Sequence, residues 1–86
     1  MSIYLDNAAS TPLLEETAEF YSAQIRELFG NPHAGTEYSI RCRRAIEKAD
    51  RQIKAAVNAP DSVKVVWTSG GTECNNILLQ GLVHLQ

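Results

Sequence analysis

Apolar residues along the chain follow three runs at helical spacing and one nearly continuous run. In the first helical run, Leu14, Ala18, Tyr21, Ile25 and Leu28 recur at intervals of three and four and so share one face. Its limits are well marked. Thr11 suits an N-cap, Pro12 the first helical position, and Glu15 with Glu16 complement the positive helix start. Gly30 supplies a stop and Pro32 prevents resumption, so Asn31 to Gly35 reads as a loop. The second helix is predicted from near Thr36 to about Asn58, ahead of Pro60, with Cys42, Ile46, Ala49, Ile53 and Val57 as its apolar stripe.

Two further segments read as extended. Ile3, Tyr4 and Leu5 make a short apolar start before Asp6 to Ser10, whose small and turn-forming residues suit a loop. Val63 to Thr68 is rich in β-branched and aromatic residues, as in a parallel-sheet strand covered on both faces. After the break at Ser69 to Thr72, residues Cys74, Ile77, Leu78, Gly81, Leu82 and Leu85 return to helical spacing. The pattern therefore predicts an α/β piece: about three helices, a short N-terminal extended segment and one parallel-sheet strand. One strand with one short extended piece makes no self-sufficient sheet, so the pattern predicts an incomplete part of a larger fold. Residues 1–86 are read as a single partial domain, with an N-terminal part over 1–35, a second helix over 36–58, and a strand, turn and helix over 63–86.

Composition changes this picture little. The 86 residues are 44% apolar and 21% charged, which excludes disorder and a dense disulfide scaffold. No stretch approaches the roughly 18 apolar residues of a membrane span, and no basic start leads into an apolar run, so no membrane partner and a cytoplasmic address are expected. Cys42 and Cys74 fall among apolar residues, with no CxxC arrangement and no histidine at zinc-finger distance. Both are expected to be buried thiols, and no metal site is predicted.

Net charge is −2, yet Arg41, Arg43, Arg44, Lys48, Arg51 and Lys54 crowd along the second helix. They can form a nucleic-acid face or a solvated one. No aromatic residue is interleaved to stack on bases, and Glu47 stands one turn from Arg51, so the solvated reading is preferred and no nucleic-acid partner is expected.

The turn Thr68-Ser69-Gly70-Gly71-Thr72-Glu73 carries the chemistry. It sets small residues and hydroxyls where a helix begins, and the first amides of a helix lack internal partners while the aligned peptide dipoles leave partial positive charge there. A phosphate or sulfate gains both hydrogen bonds and charge complementarity at such a place. Ser69 can equally act as a plain helix cap, with the glycines making a tight turn and Glu73 balancing the dipole. Nucleotide readings are weaker, since the turn lacks the lysine of GxxxxGKS/T and the spacing of GxGxxG.

Three ordered motifs bear a resemblance. Tyr4-Leu5-Asp6-Asn7-Ala8-Ala9-Ser10-Thr11-Pro12, Phe29-Gly30-Asn31-Pro32, and Thr68 to Glu73 with Asn76 resemble the opening of cysteine desulfurases, the class V aminotransferase-like, fold type I enzymes that use pyridoxal 5'-phosphate. The resemblance implies that Gly71 binds the cofactor phosphate through its amide, and Thr72 through its amide and hydroxyl. It places Asn7 and Ala8 on the substrate side, where the residues alone read as an ordinary loop; Asn76 either helps fix the turn or is an exposed helical residue. The implied substrate is L-cysteine, whose sulfur feeds iron–sulfur or other sulfur-using pathways, and the implied partner is a homodimer mate or the remainder of the enzyme.

The chain departs from the family pattern after Gly30-Asn31-Pro32, where Thr36 and Ser39 stand in place of a histidine and a glycine. The resemblance also puts the ring-stacking histidine, the acid partner of the pyridine nitrogen, the Schiff-base lysine and the sulfur-accepting cysteine beyond these residues. No catalytic residue is therefore assigned, and the chain alone is expected to anchor phosphate without turnover. The rival readings are a stand-alone anion- or nucleotide-binding module and an interaction module using the basic second helix.

Overall fold

The computed structural model describes residues 1–85. It holds three helices, α1 (Glu15–Glu27), α2 (Glu37–Ala56) and α3 (Gly71–His84). The chain divides into two compact units, Met1–Lys48 and a second that begins at Ala49, and α2 runs from one into the other.

In the first unit the Asp6–Ser10 loop closes on itself. The Ala9 and Ser10 amides donate to the Asp6 carbonyl at 3.1 and 3.3 Å. The Tyr4 hydroxyl lies 2.8 Å from both the Asp6 and the Ser10 carbonyl oxygens, so its proton is shared between them. Helix α1 then begins at Glu15 and not at Pro12. Leu14 takes the cap position in extended backbone with no side-chain cap bond. Glu15 and Glu16 still occupy the first turn, where their charge complements the helix dipole. No residue of α1 is buried, and Tyr21 and Ile25 of its apolar stripe are exposed.

Helix α2 has a built start and a built stop. The Thr36 hydroxyl accepts from the Ser39 amide at 3.2 Å and pairs with the Ser39 hydroxyl at 2.8 Å, satisfying one of the amides a helix start leaves open. At the other end Asn58 adopts the left-handed conformation, φ 53°. The Ala59 amide then reaches the Lys54 carbonyl at 2.9 Å and the Asn58 amide the Ala55 carbonyl at 3.3 Å, the paired bonds of a Schellman stop.

The start of α2 is also where the first unit packs most closely. Ser39 and Cys42 are the buried residues among those described. The Phe29 and Tyr38 rings meet with centroids 5.0 Å apart, and the Arg43 guanidinium donates to the Pro32 carbonyl at 2.8 Å.

The α/β assignment does not hold. Among the described residues there is no strand, neither at Ile3 to Leu5 nor at Val63 to Thr68. Residues 63–68 run irregularly between α2 and α3, tethered by the Trp67 indole N–H to the Asp50 carboxylate at 2.7 Å and by the turn bond from the Val63 amide to the Pro60 carbonyl at 3.0 Å. The physical reason is that strand hydrogen bonds run between segments. Apolar, β-branched composition sets a preference for a pleated surface without supplying the neighbour that completes a ladder.

Candidate functional site

The turn at residues 68–73 lies wholly in the second unit. Gly70 is the cap residue of α3, in extended backbone, and it offers no side chain to cap with. The first helical bond runs from the Cys74 amide to the Gly70 carbonyl at 3.1 Å, so the amides of Gly71, Thr72 and Glu73 precede the helix's own hydrogen-bond ladder. Gly71 and Thr72 are exposed, and beyond Gly71's chain neighbours and the adjoining backbone of α3 no heavy atom lies within 4 Å of the place a side chain on Gly71 would start. Backbone approach by an anion is open there.

Two hydroxyls and one carboxylate shape the turn. The Thr68 hydroxyl donates to the Gly70 carbonyl at 3.1 Å. The Glu73 carboxylate takes two hydrogen bonds on one oxygen, Oε2, from the Ser69 hydroxyl at 2.6 Å and the Ser69 amide at 3.2 Å. The Ser69 hydroxyl first, and the Ser69 amide second, hold the Glu73 carboxyl below the usual carboxylate range. Ser69 is therefore not the cap residue; it is the donor that a third-position carboxylate reaches back to hold. A capping box would send a third-position carboxylate back to the cap residue's own amide; here it reaches one residue further, to Ser69.

The other candidate residues are placed as follows. Asn7 and Ala8 are exposed on the first unit's Asp6–Ser10 loop. Asn76 is exposed within α3, His84 is its last residue, and Lys64 lies in the irregular segment before the turn. Cys42 is buried as expected, but Cys74 is exposed: its helical spacing puts it on a face of α3 that nothing among the described residues covers. On α2, Arg43 is committed to Pro32, and the Lys54 ammonium donates to the Asp61 carbonyl at 3.2 Å. Among the described residues no three His, Cys, Asp or Glu side chains stand close enough to hold a metal ion, and no helix is long and apolar enough to cross a membrane.

The family model described as aminotransferase class V matches residues 3–86, and the chain belongs to that family. Within it, the chain is similar to proteins named cysteine desulfurase IscS. That of Dictyoglomus turgidum is 41% identical over 80 residues, 93% of this chain and 20% of the relative. Those of Dechloromonas aromatica and Methylobacillus flagellatus are 40% and 39% identical, over 98% and 95% of this chain and 21% and 20% of each relative. The chain thus spans about a fifth of the length of the curated relatives it matches. No solved structure matches it significantly.

Proposed function

We propose that this chain supplies the cofactor-phosphate anchor of a pyridoxal-phosphate-dependent cysteine desulfurase acting on L-cysteine. The observation that carries the reading is the coincidence of a class V aminotransferase match over residues 3–86 with a helix start whose Gly71 and Thr72 amides stand outside the helical ladder and open to approach. The donor set suits the group: amides at the positive end of α3 and one hydroxyl, facing what is a dianionic phosphate near neutral pH.

In this reading the Gly71 amide and the Thr72 amide and hydroxyl would hold the cofactor phosphate. Their part would be to anchor the cofactor by its phosphate. Bound cofactor supplies an electron sink for carbon–sulfur chemistry, and the protein supplies position and electrostatics. Asn7 and Ala8 are assigned to the substrate side and the working enzyme to a homodimer, both as the motif resemblance implies. The chain alone is assigned no turnover. Cys42 is buried, Lys54 is engaged with Asp61, and Lys48 and Lys64 stand open to solvent outside the turn.

The test is titration of the 86-residue chain with pyridoxal phosphate and, as controls, with pyridoxal and a nucleoside triphosphate. Affinity that depends on the phosphate of pyridoxal phosphate and falls several-fold in Thr72→Val supports the assignment. Equal affinity for pyridoxal would place the interaction on a lysine amine and refute it.

A further inference from the structure

The turn before α3 has an unusual economy of caps. Its cap residue, Gly70, has no side chain, and Gly70 and Gly71 together are the two consecutive residues with the widest backbone freedom in the chain. A phosphate site built on backbone amides needs those amides held in one direction before the anion arrives, since otherwise binding must also freeze the two glycines. The hydrogen bonds that span them run from Ser69 to Glu73. One carboxylate oxygen of Glu73 takes both the amide and the hydroxyl of Ser69, closing a ring across Gly70, Gly71 and Thr72. The Thr68 hydroxyl adds a bond to the Gly70 carbonyl at 3.1 Å.

We propose that Glu73 is a positioning residue of the phosphate-binding turn: by holding Ser69 it keeps the Gly71 and Thr72 amides aimed at a single anion, without itself binding that anion. The inference rests on the proposed reading of the turn as a phosphate anchor. It runs against the simplest electrostatic expectation, because a carboxylate beside a dianion repels it. A residue that only repelled would improve the site when removed. A residue that positions weakens the site when removed, despite the lost repulsion.

That opposition of signs makes the experiment decisive. The chain and its Glu73→Ala, Glu73→Gln and Ser69→Ala variants are titrated with inorganic phosphate and with pyridoxal phosphate, following the Gly71 and Thr72 amide resonances; amide exchange at residues 69–72 is measured without ligand. Glu73→Ala is expected to weaken both anions roughly fivefold, the scale of a lost helix cap, and to speed exchange. Glu73→Gln keeps an acceptor oxygen for Ser69 and is expected to stay within about twofold of the parent. Ser69→Ala removes the 2.6 Å bond while leaving the charge, and is expected to weaken binding even if Glu73→Ala frays α3. Tighter binding in both Glu73→Ala and Glu73→Gln, or unchanged affinity in Ser69→Ala, would overturn the proposal. If the parent chain shifts neither amide with either anion while the exchange difference between Glu73→Ala and Glu73→Gln persists, the phosphate reading is what fails, and the anion-positioning role falls with it.

Discussion

A side chain on Gly30 would begin 2.8 Å from the Ser39 amide nitrogen and 2.7 Å from the Tyr38 carbonyl carbon. The obstacle is backbone, which cannot swing aside as a flexible side chain does. The loop after α1 and the first turn of α2 therefore pack backbone to backbone, beside the buried Ser39.

Gly30→Ala is accordingly expected to destabilise the first unit by about 1–3 kcal/mol, the usual cost of forcing extra volume into a packed site. Denaturant melts comparing Gly30→Ala with Gly35→Ala check this, because the position of a side chain on Gly35 is open space. Equal midpoints for the two variants would show that the close approach contributes nothing.

The stop of α2 yields a substitution series. Asn58 holds φ 53°, a conformation glycine adopts freely and asparagine tolerates better than alanine. Asn58→Ala should lower stability by roughly 1–2 kcal/mol, whereas Asn58→Gly should be neutral or slightly stabilising. Thermal melts of the two variants in parallel separate the backbone effect from loss of the asparagine side chain.

Trp67 offers a built-in probe. It is the chain's one tryptophan, and its indole N–H donates to the Asp50 carboxylate at 2.7 Å. Asp50→Ala is expected to release residues 63–68 from α2 and raise acrylamide quenching of Trp67 fluorescence, with little loss of helical circular dichroism. Quenching unchanged from the parent would mean that this bond does not hold the segment.

Acid should loosen the turn before α3. The Glu73 carboxyl lies below its usual range because its charged form accepts from Ser69. A depressed folded-state value means that the stabilisation is present above the unfolded value and is lost as pH falls through the folded one. The Ser69 amide resonance should therefore move at a pH below the ordinary glutamate range, and Glu73→Gln should abolish that transition. A Ser69 titration at the ordinary glutamate pH would contradict the pairing.

Large apolar side chains remain open on two separate helices. Tyr21 and Ile25 on α1, and Leu78 and Leu82 on α3, are all more than half exposed. In each helix the two stand four residues apart and share one face, a pair of apolar side chains that a second chain can cover. The chain is expected to self-associate, with a sedimentation coefficient that rises with concentration, and charged substitutions at Leu78 and Leu82 should reduce the effect.

Much of the local architecture was legible in the residues. Thr36 was readable as the start of α2, Pro60 as the limit beyond its end, and the Ser69–Glu73 turn as a helix start, because each depends on side chains within a few positions of the bonds they complete. The start of α1 was less legible. Pro12 is tolerated at a first helical position without being required there, and the chain enters the helix only at Glu15. Cys74 was misread for a different reason: helical spacing says which residues share a face, and is silent on whether anything covers that face.

What the sequence by itself determined is the set of three helices, a helix start following the turn at residues 68–73 and the motif order that marks the class V aminotransferase family. Helical hydrogen bonds close within four residues, so punctuation and periodicity suffice to write them. Tertiary structure alone decided that Val63 to Thr68 forms no ladder among the described residues, that Cys42 is buried and Cys74 is not, that Gly30 meets the backbone of Tyr38 and Ser39, and that Trp67 is tied to Asp50. Each of these depends on which distant segment arrives beside which. A local pattern carries the preference for such a contact, and only the folded chain supplies the partner.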